Sequence, residues 1–374
     1  MKILTIIGAR PQIIKAAAVS RAVRDLFPSQ IEESILHTGQ HYDNNMSQVF
    51  FDQLGIPQPD FNLGVGSGSH GLQTARMISG IEEVLLNNHF DGIILYGDTN
   101  STLAGAVAAS KIHVPVFHIE AGLRSFNMAM PEEINRIVCD QLSSICFAPT
   151  QTAVDNLRRE GFTDSPATFR NGKGRRVCNC GDVMYDNSMY FATLAQRHST
   201  IMQQLSLQPG AYILATIHRD HNTDNPERLS AILRALVDIA VQDNIRIVLP
   251  LHPRTKKILD TNPSLLPPYA DSLTIIPPAS FFDINMLEQN ARIVMTDSGG
   301  VQKEAFFFEK PCVILRPETE WVEIVDHGAG IIADADYSRI VSSYRQLVDH
   351  PVHFPHLFGD AHAAEKILQT ILDY

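Results

Sequence analysis

Residues 91–136, DGIILYGDTNSTLAGAVAASKIHVPVFHIEAGLRSFNMAMPEEINR, leave this chain few ways to fold. Two short apolar runs, 92–96 and 114–118, have the length and β-branched content of strands buried on both faces. The alanine-rich segment 101–111 between them reads as a crossover helix, capped by Thr99, Asn100 or Ser101. Each strand ends in a carboxylate among small residues: Asp98 after Gly97, and Glu120 before Ala121 and Gly122. Open α/β sheets bind ligands beyond the carboxyl ends of their strands, so Asp98 and Glu120 are expected on one rim. Glu132 and Glu133 follow Pro131 at a helix start, with Arg136 one turn on. Taken singly, Asp98 serves equally as an N-cap, and Glu132 and Glu133 as first-turn acids favoured by the helix dipole. Taken together, at two strand ends and one helix start, they read as a site. Carboxylates converging on one crevice raise each other's pKa, which suits proton transfer.

A chain of 374 residues exceeds the usual single core, so two domains are expected, 1–180 and 181–358. Hydrophobic content of 44% and charged content of 19% are those of a soluble globular enzyme. A net charge of −11 provides no broad basic surface, which argues against a nucleic-acid partner. It leaves room for an anionic small ligand in a local basic pocket. No apolar run approaches the roughly 20 residues that span a bilayer. Lys2 and the short run 3–7 do not have a signal-peptide layout, so no membrane partner and a cytoplasmic location are expected. Cys139, Cys146, Cys178, Cys180 and Cys312 form no CxxC pair; Cys178 and Cys180, a CxC on a strand, fall on one face and read as buried free thiols.

The run 3–7 is a strand, and Gly8 to Pro11 turn into a helix over 12–26, with Pro11 at its first position. Gly8 admits close backbone approach, and the helix start with Arg10 and Lys15 makes an anion site. The strand 32–36 ends in HTGQHYD, where Gly39 between His37 and His41 argues for hydrogen-bonding loop residues over a metal pair. A helix is expected over 46–54 and another over 74–86. The one GxGxxG match, at 66–71, lies in a loop that no strand feeds directly, so it reads as a mobile lid. The basic turn 169–176, FRNGKGRR, reads as a solvated hairpin tip. The strand 212–216 ends in His218, Arg219, Asp220, His221 and Asn222, and the strand 293–295 in Thr296, Asp297, Ser298, Gly299 and Gly300. Amides at that second helix start can take a phosphate, and Glu304 one turn in can accept from a ribose. Pro351 and Pro355 break any helix that would align His350, His353, His356 and His362 on a metal, so none is expected. Two βα domains, each with a phosphate-type turn and no Walker A motif, predict a nucleotide-linked ligand in the cleft between them.

GARPQIIKAA (8–17), HTGQHYD (37–43), YGDTNSTLAG (96–105), HIEAGLRSFNMAMPEEINR (118–136), HRDHNTD (218–224) and TDSGGVQKEAFFFEKPC (296–312) resemble the non-hydrolysing UDP-N-acetylglucosamine 2-epimerases, in the same order over nearly the whole chain. Gln12 in GARPQ, with HTGQHYDNNM, LRSFNMAMPEEINR and GVQKEAFFF, resembles the subgroup acting on UDP-2,3-diacetamido-2,3-dideoxyglucuronate. The resemblance implies an α/β fold of two Rossmann-like domains in a GT-B-type arrangement. It places the active site in the interdomain cleft and returns a C-terminal helix, about 359–374, to domain one. It implies elimination and re-addition of UDP through a glycal, with no metal or redox cofactor and with a homodimer as partner state. By motif, Asp98, Glu120, Glu132 and His218 are the expected catalytic residues. Arg10, Lys15, Arg136, Ser298, Gly299, Gly300 and Glu304 are expected to bind substrate. A uronate also needs a cation for its C6 carboxylate, and Arg124, Arg254 and Lys256 are the candidates by motif proximity. His221 departs from the commoner HR-x-E-N pattern, and the segment 42–45 is spaced differently from the loop that binds an activating second sugar nucleotide in some relatives. A GT-B glycosyltransferase, a hydrolysing 2-epimerase and a non-catalytic sugar-nucleotide sensor are the alternatives, which three intact carboxylates and the GARPQ start disfavour.

Overall fold

The computed structural model describes residues 1–39, 56–163, 168–170 and 173–374. The chain divides into two compact units, Met1–Asn187 with His356–Tyr374, and Ser188–Pro355. The helix expected over 46–54, together with Gln40 and His41, lies outside the described residues.

The first unit is built from β1 (Lys2–Ile7), β2 (Glu32–His37), β3 (Phe61–Asn62), β4 (Gly92–Tyr96), β5 (Val116–Ile119), β6 (Ile145–Ala148) and, after a small antiparallel hairpin of β7 (Thr168–Arg170) and β8 (Lys173–Gly174), β9 (Arg176–Asn179). The seven-stranded sheet runs β3-β2-β1-β4-β5-β6-β9, parallel throughout. Every residue of β4, β5 and β6 is buried, which is why these strands read as unbroken apolar runs. Strand order reverses between β1 and β4, so their carboxyl ends, at Gly8 and Gly97, open onto the switch-point crevice of the sheet.

The helix Asn100–Lys111 packs between His70–Asn87 and Pro131–Leu142. Ala104, Ala106 and Ala109 on it are fully buried, and a side chain on Gly105 would stand 2.6 Å from Leu95 Cδ2. The alanine content therefore follows from close helix approach to the sheet. Of the three expected caps, Thr99 is the one used: its hydroxyl accepts from Ser101 N at 3.2 Å and Thr102 N at 3.4 Å. The expected lid 64–71 instead carries defined contacts. Val65 N donates to Thr38 O, Gly66 N to Gly39 O, and the helix begins at His70, ahead of the expected Thr74. The base of the basic turn is docked rather than solvated: Arg175 donates to Gln141 O at 2.6 Å and lies over the Phe162 ring.

The helix Ala363–Leu372 packs on the helix Arg10–Leu26. Its first amides, Ala363 N and Ala364 N, donate to Asp186 at 3.0 and 2.8 Å. Burial pushes Asp186 up to about 6 in spite of those amides. Between its ordinary 3.8 and about 6, the folded chain keeps a proton that the unfolded chain has released. Stability held below that window is therefore lost as pH rises through it. Asp186→Asn keeps an acceptor and does not titrate. Relative to wild type it should gain roughly 2–3 kcal/mol between about pH 4 and about pH 7. Paired urea titrations measure this, and a pH-independent difference would refute it.

The second unit holds β10 (Tyr212–Thr216), β11 (Arg246–Pro250), β12 (Leu273–Ile276), β13 (Ile293–Thr296), β14 (Cys312–Ile314) and β15 (Gly330–Ile332) in the order β12-β11-β10-β13-β14-β15, again parallel. Helices Pro226–Gln242 and Tyr337–Asp349 cover one face through Leu233, Leu236, Ile340 and Tyr344. Leu287 and Ala305, from Phe281–Asn290 and Gly299–Phe307, cover the other. The switch point here falls between β10 and β13, so Ile217–His218 and Asp297–Ser298 emerge side by side.

Candidate active site

In the first unit one buried side chain joins the two strand ends of the crevice. Gln12 accepts from Gly8 N at 2.9 Å and Ala9 N at 3.1 Å through Oε1. Its Nε2 donates to Tyr96 O at 2.9 Å and to Thr102 Oγ1 at 3.0 Å. Thr102 itself donates to Tyr96 O, so both partners of Nε2 need a donor and only an amide fits. A carboxylate at position 12 would oppose the Tyr96 carbonyl.

Beyond that joint the acids and bases alternate. Lys15 pairs with Glu120. Burial alone would push the Lys15 ammonium down, and the Glu120 and Asp98 carboxylates outweigh it and hold it above its ordinary value. Arg136 Nη2 meets Asp98 Oδ2 at 2.5 Å, and Nη1 meets Glu133 Oε2 at 2.9 Å. Glu133, 1% exposed, also accepts from Ser125 N and Phe126 N, and so shapes the loop leading into Pro131–Leu142. The expected mutual repulsion of converging carboxylates is thus replaced by cations placed between them. Two backbone features make room for this. Glu120 has a φ of +70°, and Gly97 a φ of +61° with Glu120 Oε2 and Lys15 Nζ only 3.0 and 3.1 Å from where a side chain would begin. Any larger residue at 97 collides with the Lys15–Glu120 pair.

Beneath the rim lies a charged network that local sequence patterns did not reveal. His118, inside β5, places Nδ1 2.7 Å from Asp140 Oδ1 and Nε2 2.8 Å from Gly97 O. Asp140 also accepts from Gly122 N at 3.1 Å and pairs with Arg124 at 2.8 Å, and Arg124 runs on to Glu160. The side chains of His118, Asp140 and Arg124 are at most 1% exposed. The one available signal was a histidine in a strand buried on both faces, which requires partners.

In the second unit Asp297 organises the rim. Fully buried, it accepts from His218 N at 3.0 Å, Arg219 N at 3.1 Å and Asn222 Nδ2 at 3.0 Å. It therefore locks the HRDHN turn against the Ser298-Gly299-Gly300 turn. Burial lowers the His218 imidazole, with the Asp297 carboxylate opposing. Ser298 caps its helix by accepting from Val301 N, and Trp321 Nε1 donates to Gly299 O at 3.0 Å. Glu304, further along that helix, is pushed up by burial, and so is the buried Glu288 behind it.

The structure thus joins Asp98 with Arg136 and Lys15 with Glu120 in the first unit, and in the second ties the His218 amide to Asp297, which directly precedes Ser298. Arg10 is exposed in the first turn of its helix, and Glu132 is exposed while its neighbour Glu133 faces inward. Arg124 is enclosed by Asp140 and Glu160, which removes it as a cation for a sugar carboxylate. Arg254 and Lys256 lie on an exposed helix, paired with Asp220, Asp224 and Asp260. His37, expected in the loop, is the last residue of β2; it accepts from Gly39 N at 2.9 Å, and burial lowers it to about 4. Among the described residues no three His, Cys, Asp or Glu side chains gather as a metal set, and no helix is long and apolar enough to cross a membrane.

A sequence model of the family described as UDP-N-acetylglucosamine 2-epimerase matches residues 27–372. The chain is 48% identical over 373 residues to the UDP-2,3-diacetamido-2,3-dideoxy-D-glucuronate 2-epimerase of Pseudomonas aeruginosa, covering 99% of both. It is 44% identical over 374 residues to a UDP-N-acetylglucosamine 2-epimerase homolog of Methanococcus maripaludis, again covering 99% of each. The fold is similar to the UDP-GlcNAc 2-epimerase of Methanocaldococcus jannaschii, whose crystal structure holds UDP-GlcNAc and UDP, with a TM-score of 0.78, 36% identity and full coverage of both chains.

Proposed function

This chain belongs to the UDP-N-acetylglucosamine 2-epimerase family, and we propose that it inverts C2 of UDP-2,3-diacetamido-2,3-dideoxyglucuronate to give the manno epimer. The observation that carries the choice of sugar is the 48% identity, end to end, with a relative named for that substrate, against 44% for a UDP-N-acetylglucosamine 2-epimerase homolog and 37% for two UDP-N-acetylglucosamine 2-epimerases. The Gln12 amide joint is consistent with the same subgroup.

The C2 proton is not next to a carbonyl, so forming a carbanion there is prohibitive unless the C1 phosphate departs. A carboxylate takes the C2 proton, the C1–O bond electrons leave with UDP, and a C1=C2 glycal remains. UDP oxygen then re-adds to C1 while an acid protonates C2 from the opposite face. Asp98, Glu120 and Glu132 are the groups we assign to the two proton transfers. Lys15 and Arg136 hold Glu120 and Asp98 in place. Arg10 and His218 stabilise the departing diphosphate charge, the amides of Ser298, Gly299 and Gly300 bind phosphate, and Glu304 binds ribose. The family resemblance further supports a cytoplasmic homodimer supplying a manno-configured sugar for surface polysaccharide such as O-antigen.

An NMR time course in D₂O tests the reading. Purified protein incubated with the diacetamido uronate is expected to place deuterium at C2 and yield the manno product. The same outcome from UDP-GlcNAc alone moves the protein to the general epimerase, which is the second reading supported by its 44% identical relative. Exchange with neither substrate refutes both.

A further inference from the structure

We propose that His118 is a positioning residue: as a buried double donor it ties Gly97 to Asp140 and thereby sets Asp98 and Glu120 in register on the rim. The inference rests on the reading of those two carboxylates as proton-transfer groups. Three observations carry it. Nε2 faces the Gly97 carbonyl at 2.8 Å, and a carbonyl only accepts, so Nε2 bears a proton. Nδ1 faces Asp140 Oδ1 at 2.7 Å, and Asp140 already takes the Gly122 amide and the Arg124 guanidinium, which keeps it an anion and an acceptor. Nδ1 therefore bears a proton too, and His118 is an imidazolium with no exposed surface.

The groups packed around it account for its charge. Asp140 and Cys139 come from the helix Pro131–Leu142, Arg124 from the loop after β5 with Glu160 beyond it, and Cys146 from the adjacent strand β6. Burial opposes the imidazolium, and Cys139 and Asp140 together overcome it and hold His118 well above its ordinary value. His118 and Arg124 against Asp140 and Glu160 leave the network neutral.

The consequence lies in what the two bonds join. Gly97 directly precedes Asp98, and its Cα face abuts the Lys15–Glu120 pair. His118 stands two residues before Glu120, and Asp140 holds the amide of Gly122 two residues after it. One imidazolium thus connects both turns that carry the acids to the helix that carries Glu133 and Arg136. Neutral side chains of this size do not donate in two opposite directions.

Two measurements test it on the full chain. In ¹⁵N-histidine-labelled wild-type protein, one histidine should retain protons on both ring nitrogens, protected from solvent, at pH values well above the ordinary histidine range near 6.5. His118 itself, its signal assigned by its loss in His118→Gln, present as a neutral tautomer at pH 7 would overturn the assignment without any substrate in the tube. His118→Gln should lower kcat for C2 exchange by about 10²-fold, the scale of a 1 Å misplacement, while the affinity for UDP stays within about threefold. In an Asp98→Asn background the same change should cost clearly less than it does alone, because part of the His118 effect runs through Asp98. Additive losses would reduce His118 to a purely structural residue. Wild-type protein that exchanges no C2 proton would overturn the epimerase reading and leave the protonation result standing.

Discussion

Asparagine at position 98 is expected to slow deuterium incorporation at C2 by ~10²–10⁴-fold, the span attributed to a positioned general acid or base. The substitution is isosteric, so its effect isolates the loss of a proton acceptor. Arg136 keeps its second partner, Glu133, at 2.9 Å and is not left as an unpaired buried cation. The backbone carbonyl of residue 98 still accepts from Asn135 Nδ2. Thermal unfolding should therefore change little, and UDP affinity, assigned to the second unit, should stay within about threefold of wild type. Exchange retained to within about tenfold would move the proton transfers away from Asp98 and onto Glu120 and Glu132.

Asp297→Ala is expected to act on the other unit and by another route. The carboxylate is fully buried and takes three donors, two of them the backbone amides of His218 and Arg219. Bonds to a charged acceptor contribute about 1.5–3 kcal/mol each, and donors left buried without one add their own desolvation penalty. A loss of roughly 4 kcal/mol follows once non-additivity is allowed for. Function should suffer as much as stability, because the Asp297 side chain links the amides of the His218 turn to the strand end that leads into the Ser298-Gly299-Gly300 turn. Trp321, the single tryptophan of the chain, donates to Gly299 O and so reports this unit by fluorescence. The expected result is an earlier tryptophan transition in urea together with UDP binding lost by more than about 10²-fold. An unchanged midpoint would show that the two turns hold without the anion.

How far the sequence reveals this molecule depends on the range of the interaction. Strands such as Gly92–Tyr96 and Ile145–Ala148 were legible because burial on both faces leaves unbroken apolar runs. Phe61–Asn62 and Gly330–Ile332 escaped because two or three residues carry no period. Asp98, Glu120 and Arg136 were legible because each stands in a local motif next to a strand end or helix start. Glu132 and Glu133 show the limit of that reasoning. Adjacent helix positions point about 100° apart, and only the packing of Pro131–Leu142 decides that Glu133 turns inward. Arg124 shows it again, since proximity in sequence to the acids suggested a ligand contact, whereas its guanidinium faces Asp140 and Glu160. The His118 network joins residues 22 positions apart across a helix and a strand, beyond the reach of spacing rules.

The first unit is interrupted in the chain: residues 1–187 are completed by 356–374, and the whole second unit is threaded between them. Its sheet is parallel throughout, so each pairing waits on a crossover and none forms as a local hairpin. Emerging from the ribosome, the rim acids Asp98 and Glu120 are made before the second unit, yet the helix Ala363–Leu372 that seats against Arg10–Leu26 is made after it. The second unit, continuous in sequence, has all it needs sooner. Biosynthesis should therefore reverse the usual N-to-C order of domain completion, leaving the first sheet the longer exposed to chaperones and to misassembly.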